Sequence, residues 1–562
     1  SAKTSPEGTI PAINLYDGPA FRVLRAFLRA HRWPDPLSIA VLSAKYGLIG
    51  GLAQISPYDR RMTPARAREL NPGVTATLHK FAVDHKRIDL ILGFDYRASL
   101  SLDSPNGPRL PEHHFVEGPI GIKLNYLHSL LHRMPRQKAH HPRHVAYNRR
   151  PMYFLPDWDD FVDTGFDFSS DRFSCPQRVG RKEQHTLALM RPDRIADGVL
   201  VSLAQHLGTK GMLKRIHLNS ADALAPRSVR SHFKLTQDQW AFGDCGAFSY
   251  ASEETPSISV EQAVYVYNLY EFDLGASVDH IPLPEVIRDG KRVSLTDGER
   301  RQRIRLTRDN ADRFISLHRE KSANFIPVGV IQGVTAKDYA KQVGDYFDMG
   351  YRHLALGGLV PRSDSEILAI VQAVSQKFNE LRHRPWLHLL GVFRPLLQER
   401  FRTLRVNSFD SATYFRKSWL RSDQNYLSSD GEWYAAIRVP PTTDPRTLLR
   451  LKDSGISERR IRSLEHAALR SLHRYDRGEI TLRKCLNAVD AYDSLLIREE
   501  AKEKKMLDAY RRTLESKPWK TCDCNVCRDL GINVLIFRGL NRNKRRGAHN
   551  TLQLYSQLGK SR

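Results

Sequence analysis

Between about residue 151 and residue 430, short apolar, β-prone runs alternate with segments of helical periodicity. This alternation constrains the fold more than any other feature of the chain. A strand followed by a helix cannot pair with the next strand as a hairpin. The chain must cross back, so successive strands lie parallel and the helices cover the sheet. The candidate strands are Trp240 to Gly243, Gly275 to Asp279, Phe325 to Ile331, His353 to Leu356, Leu387 to Val392 and Leu404 to Phe409. Helical segments between them include Val260 to Phe272, Arg300 to Arg319, Ala336 to Met349 and Asp364 to Leu381. This many units in one region favours a closed (β/α)8 TIM barrel over an open doubly wound sheet. Barrels of this kind hold their sites at the carboxyl ends of the strands.

A chain of 562 residues exceeds one ordinary core, and its composition changes along its length. Residues 1–115 read as a small α/β accessory domain, with a helix over Phe21 to Ala30, strand-like runs at Leu37 to Ala44 and Ile88 to Tyr96, and a Gly-rich turn K-Y-G-L-I-G-G between them. Residues 116–150 read as a basic linker. Its His140, His141 and His144 have no acidic or thiol neighbours and suit phosphate contact better than metal binding. The barrel is assigned to 151–435, a charged helical insertion to 436–516, and a zinc-binding subdomain to 517–562. Within the insertion, Leu448 to Leu464 has the look of helix, Gly turn, helix.

Lys and Arg number 87 against 62 Asp and Glu, a net charge of +25, which points to a polyanionic partner and above all to nucleic acid. No apolar run is long enough to span a bilayer, so an intracellular protein with no membrane partner is expected. Three of the six cysteines, Cys522, Cys524 and Cys527, fall within one tight turn, and His549 follows downstream. Three thiolates and an imidazole suit tetrahedral Zn2+, and four protein ligands leave no open position, so the metal is expected to be structural.

Two carboxylates stand at strand ends in unusual settings. In V-N-S-F-D-S-A-T-Y-F, small residues flank Asp410 and leave room for a bulky substrate. In W-A-F-G-D-C-G-A-F-S, Asp244 is followed by Gly246, where backbone can approach a flat ligand closely. The plainer alternative for Asp410 is a turn or helix-capping aspartate. A third stretch, M-G-Y-R-H-L-A-L-G-G-L, breaks at Gly357 and Gly358 and offers peptide groups to a ligand edge. Just beyond Asp410, Arg416, Lys417 and Trp419 are placed to bind phosphate and stack on a base. The alternative is a core tryptophan beside two solvated cations.

These stretches, in this order, resemble the tRNA-guanine transglycosylase superfamily, which carries a D-S-G-G-F-Q-like motif, an I-G-G-L loop, an F-D motif and a C-x-C-x-x-C…H zinc site. The resemblance implies that Asp410 is the nucleophile and Asp244 the general acid/base. It also implies that Asp279, Gln332, Gly357, Gly358 and Leu359 bind the base. The variants D-C-G-A-F-S and S-F-D-S-A, with M-Y-F-L-P-D-W-D-D-F-V-D, look most like the DpdA-type DNA-guanine transglycosylases. That likeness implies exchange of guanine in DNA for a 7-deazaguanine, typically 7-cyano-7-deazaguanine, with a homodimer or a helper ATPase as candidate partners. The alternatives are a tRNA-guanine transglycosylase and, from another class, a non-catalytic nucleic-acid-binding subunit. L-S-A-K-Y-G-L-I with S-P-Y-D-R-R-M-T-P resembles the YaaA-related domains.

Overall fold

The computed structural model describes residues 10–30, 37–82, 85–102, 110–133, 150–206, 228–420, 423–444, 455–496 and 500–560, with positions 447, 449 and 451 between them. Eight parallel strands close into a barrel: β1 (Met152–Pro156), β2 (Gly198–Ser202), β3 (Trp240–Asp244), β4 (Leu274–Ala276), β5 (Ile326–Ile331), β6 (His353–Leu356), β7 (Trp386–Leu389) and β8 (Ser408–Asp410). Each pairs with its sequence neighbour, and β8 returns to β1 with Asp410 opposite Phe154.

Side chains alternate along a strand, so each one divides its residues between the barrel interior and the helices outside. Met152, Phe154, Leu200, Phe242, Val328 and Val330 fill the interior. Tyr153, Val199, Val201 and Ala241 belong instead to the larger core shared with the helices. The same parity turns Ser202, Asp244, His388, Ser408 and Asp410 inward, all but Ser408 at or next to a carboxyl end.

The outer helices carry clear start signals. Val260–Leu269, Asp297–Glu320, Ala336–Met349 and Asp364–Asn379 each begin with a capping box, from Ser259, Thr296, Thr335 and Ser363. The expected helices are present, Ala336–Met349 with the expected bounds and the other three with shifted ends.

Several sequence expectations need correction. The strand expected over Leu404 to Phe409 is only Ser408–Asp410. Leu404 caps the helix Gln398–Thr403, and Arg405 takes a left-handed φ of 56°. The strand expected to reach Asp279 stops at Ala276, and the one expected from Leu387 to Val392 runs Trp386–Leu389. K-Y-G-L-I-G-G is a tighter feature than a turn, because Gly47–Gly50 pairs antiparallel with Ala40–Ser43. Part of the expected linker is helix, Ile120–Arg133, and Leu127 and Leu131 pack it onto the core that holds Leu24 and Phe27. Residues 134–149, with His140, His141 and His144, lie outside the described residues.

Beyond the barrel come the helices Glu458–Asp476, Leu482–Asp493 and Glu500–Ser516. Ile461, Ala468, Leu472, Cys485, Leu486 and Val489 bury their facing stripes. The helix expected to open at Leu448 is described only in part. No described helix is long and apolar enough to cross a membrane.

Candidate active site

Asp244 ends β3, Asp410 ends β8, Gln332 follows β5, Gly357 follows β6, and Asp279 lies just past β4. Barrel closure brings these five positions to one mouth. Asp244 Oδ2 accepts from the Gly246 N–H at 2.9 Å. Gly246 has φ 78°, and a Cβ there would sit 2.0 Å from Ser202 Oγ, so only glycine makes this turn. Burial, with Asp279 and Asp410 nearby, pushes the Asp244 carboxyl up to about 8. Cys245 faces away, its Sγ 3.4 Å from the Tyr267 hydroxyl in the outer core.

Asp279 is 2% exposed and Gln332 fully buried. Gln332 Nε2 donates to Asp279 Oδ2 at 2.7 Å, while Asp279 Oδ1 and Gln332 Oε1 have no hydrogen-bond partner among the described residues. Burial pushes Asp279 up to about 6 despite that bond. Two buried acceptors left open cost on the order of 1–3 kcal/mol each, a cost recovered when a ligand supplies donors. The Gly357 peptide backs this pair. Its N–H donates to Ile331 O at 3.1 Å, its carbonyl accepts from Tyr339 Oη at 2.7 Å, and a Cβ on it would lie 2.1 Å from Gln332 Nε2. Gly358 has φ 68°, and Leu359 turns its side chain into the core.

Asp410 is held by two donors on one oxygen: Oδ1 accepts from the Gly391 N–H at 2.8 Å and lies 3.1 Å from His388 Nε2. His388 Nδ1 is in turn 2.6 Å from Ser408 Oγ. A carboxylate only accepts, so Nε2 carries a proton, and Nδ1 pairs with the Ser408 hydroxyl. Both contacts fall on Oδ1 and neither on Oδ2. His388 escaped the sequence reading because an imidazole inside an apolar strand looks like core. Phe248, within D-C-G-A-F-S, stands 52% exposed on the turn Ala247–Tyr250 after Asp244.

The cations beyond β8 separate. Arg416 is exposed and lies over the Trp158 ring, 5.1 Å from its centre. Lys417 Nζ bonds Gln424 Oε1 at 2.8 Å and sits over Trp433. Trp419 packs edge-on against Phe415 at the margin of the core.

Away from this mouth, Cys522, Cys524, Cys527 and His549 form a buried cluster that can hold a metal ion such as zinc. His549 Nε2 donates to Leu427 O at 2.6 Å, which leaves the Nδ1 lone pair facing the sulfurs at 3.6, 3.4 and 3.4 Å. Ligands about 2.3 Å (S) and about 2.0–2.1 Å (N) from a tetrahedral zinc define an N···S edge of about 3.6 Å, so the donor set fits. Outer contacts orient it: Tyr426 stacks on the imidazole at 4.1 Å and reaches Cys527 Sγ at 3.2 Å.

No family model matches the chain. It is 35% identical over 410 residues to a protein of Salmonella montevideo described as a DNA-guanine transglycosylase, covering 72% of this chain and 96% of that one.

Proposed function

The chain belongs to the DNA-guanine transglycosylase family, within the tRNA-guanine transglycosylase superfamily, and is an enzyme of the glycosyltransferase type. From that premise we propose that it exchanges guanine in DNA for a 7-deazaguanine, 7-cyano-7-deazaguanine being the base implied by resemblance, through a covalent Asp410–sugar intermediate. The observation that supports this most is the convergence of Asp244, Asp279 and Asp410 at one barrel mouth, with acceptor atoms open on Asp279 and Gln332.

In the proposed first half-reaction, Asp410 Oδ2 attacks C1′ as the C1′–N9 bond breaks, and the departing guanine takes a proton from Asp244. Asp244 is suited to this because it stays protonated up to about pH 8. Asp279 accepts from the guanine 2-amino and ring N–H groups, and the Gln332 amide N–H not bound to Asp279 and the backbone N–H groups of Gly358 and Leu359 serve the O6 edge, with Gly357 leaving the space for it. In the second half, N9 of the incoming base gives its proton to the Asp244 carboxylate and attacks C1′. The Oδ2–C1′ bond breaks, so two inversions retain the sugar's configuration.

His388 and Gly391 hold Oδ1 throughout and stabilise the carboxylate as it departs. The proposed Zn2+ is structural: when bound by Cys522, Cys524, Cys527 and His549 it fixes the subdomain against the barrel and takes no part in exchange. The target nucleotide must leave the duplex, which costs a few kcal/mol of stacking and pairing.

The test is incorporation of labelled 7-cyano-7-deazaguanine into plasmid DNA and, in parallel, into bulk tRNA, with Asp410→Ala as control. Labelling of DNA that vanishes in the variant is the expected result. Labelling of tRNA alone overturns the DNA assignment and keeps the chemistry. Absence of both, with DNA still bound, supports the non-catalytic alternative.

A further inference from the structure

The turn after β1, Asp157 to Asp160, is fixed far beyond what a connecting loop requires. Asp157 Oδ1 accepts from the N–H groups of Asp159 and Asp160 at 3.0 and 3.2 Å, and Asp160 Oδ2 accepts from the Trp158 N–H at 3.2 Å. Asp159 holds a left-handed φ of 64°, costly for a residue with a Cβ, while Arg178 grips its carboxylate with two bonds of 2.8 and 2.7 Å. Lys544 Nζ donates to its carbonyl.

Beneath the turn, Asp157, Asp160 and His185 are at most 2% exposed, and their ligand atoms lie within 4.8 Å of one another. His185 Nδ1 accepts from the Leu187 N–H at 3.2 Å, so the ring proton is on Nε2, 3.4 Å from Asp157 Oδ1. With that N–H directed toward the Asp157 carboxylate, the trio packs beneath the turn as a polar brace. Burial beside Asp157 keeps the Asp160 carboxyl protonated well above its usual range.

What this brace holds out is Trp158. Its side chain is 44% exposed beside the guanidinium of Arg416. The two residues come from adjoining strand ends: Phe154 faces Asp410 across β1 and β8, and Trp158 and Arg416 each lie a short distance further along. We propose that Trp158 and Arg416 form a stacking platform for the DNA strand from which guanine is withdrawn, the indole covering a base next to the target and the guanidinium meeting its phosphate. The inference rests on the base-exchange reading above. A ring presented on a fixed turn gives up little freedom when a base stacks on it, and each base–aromatic stack is worth about 1–3 kcal/mol. The net charge of +25 supplies the complementary field.

The test is binding of the full-length protein to labelled guanine-containing DNA, single-stranded and duplex, with 2-aminopurine placed beside the guanine. Trp158→Ala weakens binding about 10- to 100-fold and abolishes the 2-aminopurine quenching seen with the unaltered protein, whereas Trp158→Phe keeps both within about threefold. Arg416→Ala weakens binding and lowers the slope of log Kd against log salt by about 1. Trp158→Ala that binds and quenches like the unaltered protein overturns the platform alone. Trp158→Phe as weak as Trp158→Ala, with unchanged circular dichroism, also overturns it. An unaltered protein that binds tRNA and not DNA overturns the DNA reading and takes the platform with it.

Discussion

At the scale of single residues the site is a set of carboxylates kept different by their partners. Asp410 has two donors on Oδ1, and Asp244 has backbone donors from Cys245 and Gly246 and two carboxylate neighbours. Asp410→Asn keeps the shape and removes the proposed nucleophile, so exchange should fall by on the order of 10³-fold or more, with DNA binding retained. Asp244 carries a sign that can be checked. Its folded pKa is raised to about 8, so between about pH 4 and pH 8 the folded protein keeps a proton that the unfolded chain has released. Stability is therefore lost as pH rises through that window, by up to about 1.4 kcal/mol per unit. Asp244→Asn, which imitates the protonated form, should melt above the unaltered protein at pH 8 and close to it near pH 4, while exchange is lost at both. In the unaltered protein, single-turnover release of guanine should slow as pH rises through about 8. His388→Asn keeps an atom near Nδ1 and loses the donor to Asp410. It should lower kcat about 10- to 100-fold with little change in KM, and His388→Gln, which returns a donor near the Nε2 position, should recover part of it.

At the scale of elements, the barrel strands decide which residues meet, and small residues decide how closely. A Cβ on Gly357 would meet Gln332 Nε2 at 2.1 Å, so Gly357→Ala must push that amide off Asp279. The expected outcome is a KM for the incoming base raised about tenfold or more, measured at saturating DNA. The terminal helix Gly539–Lys560 joins the cysteine cluster to the barrel. His549 faces the sulfurs, while Arg546 bonds Ser418 O at 3.1 Å and Asn550 bonds the Leu427 N–H at 2.9 Å, close behind the segment that follows Asp410. With zinc bound there as proposed, a chelator should lower the melting temperature and the activity together, and Cys524→Ser should do the same without chelator. If activity survives complete metal removal, the cluster does not support the barrel mouth.

At the scale of the whole molecule, the barrel was legible where strands and helices alternate and illegible where they do not. The run from Trp240 onward has that rhythm. β1 and β2 lack it, because β1 leads into the antiparallel pair Phe161–Asp163 and Glu183–His185, with no long helix between. The cysteine cluster was legible because a tight turn places three thiols together whatever surrounds it. The carboxylates were legible as strand-end residues within family-like stretches. Their partners were not: His388 lies in an apolar strand, Ser408 beside a more conspicuous aspartate, and Trp158 in a turn whose brace is drawn from Asp157, Asp160 and His185.

The sequence by itself determined the alternation of elements from Trp240 onward, the spacing of the three clustered cysteines and His549, and the net charge of +25, all of which are read along the chain or summed over it. Only the tertiary structure decided that His388 meets Asp410, that Gln332 meets Asp279 from 53 residues away, and that Trp158 meets Arg416. Those contacts depend on strand parity and on the closure of β8 against β1. Closure is a property of all eight strands together, and no single stretch of the chain encodes it.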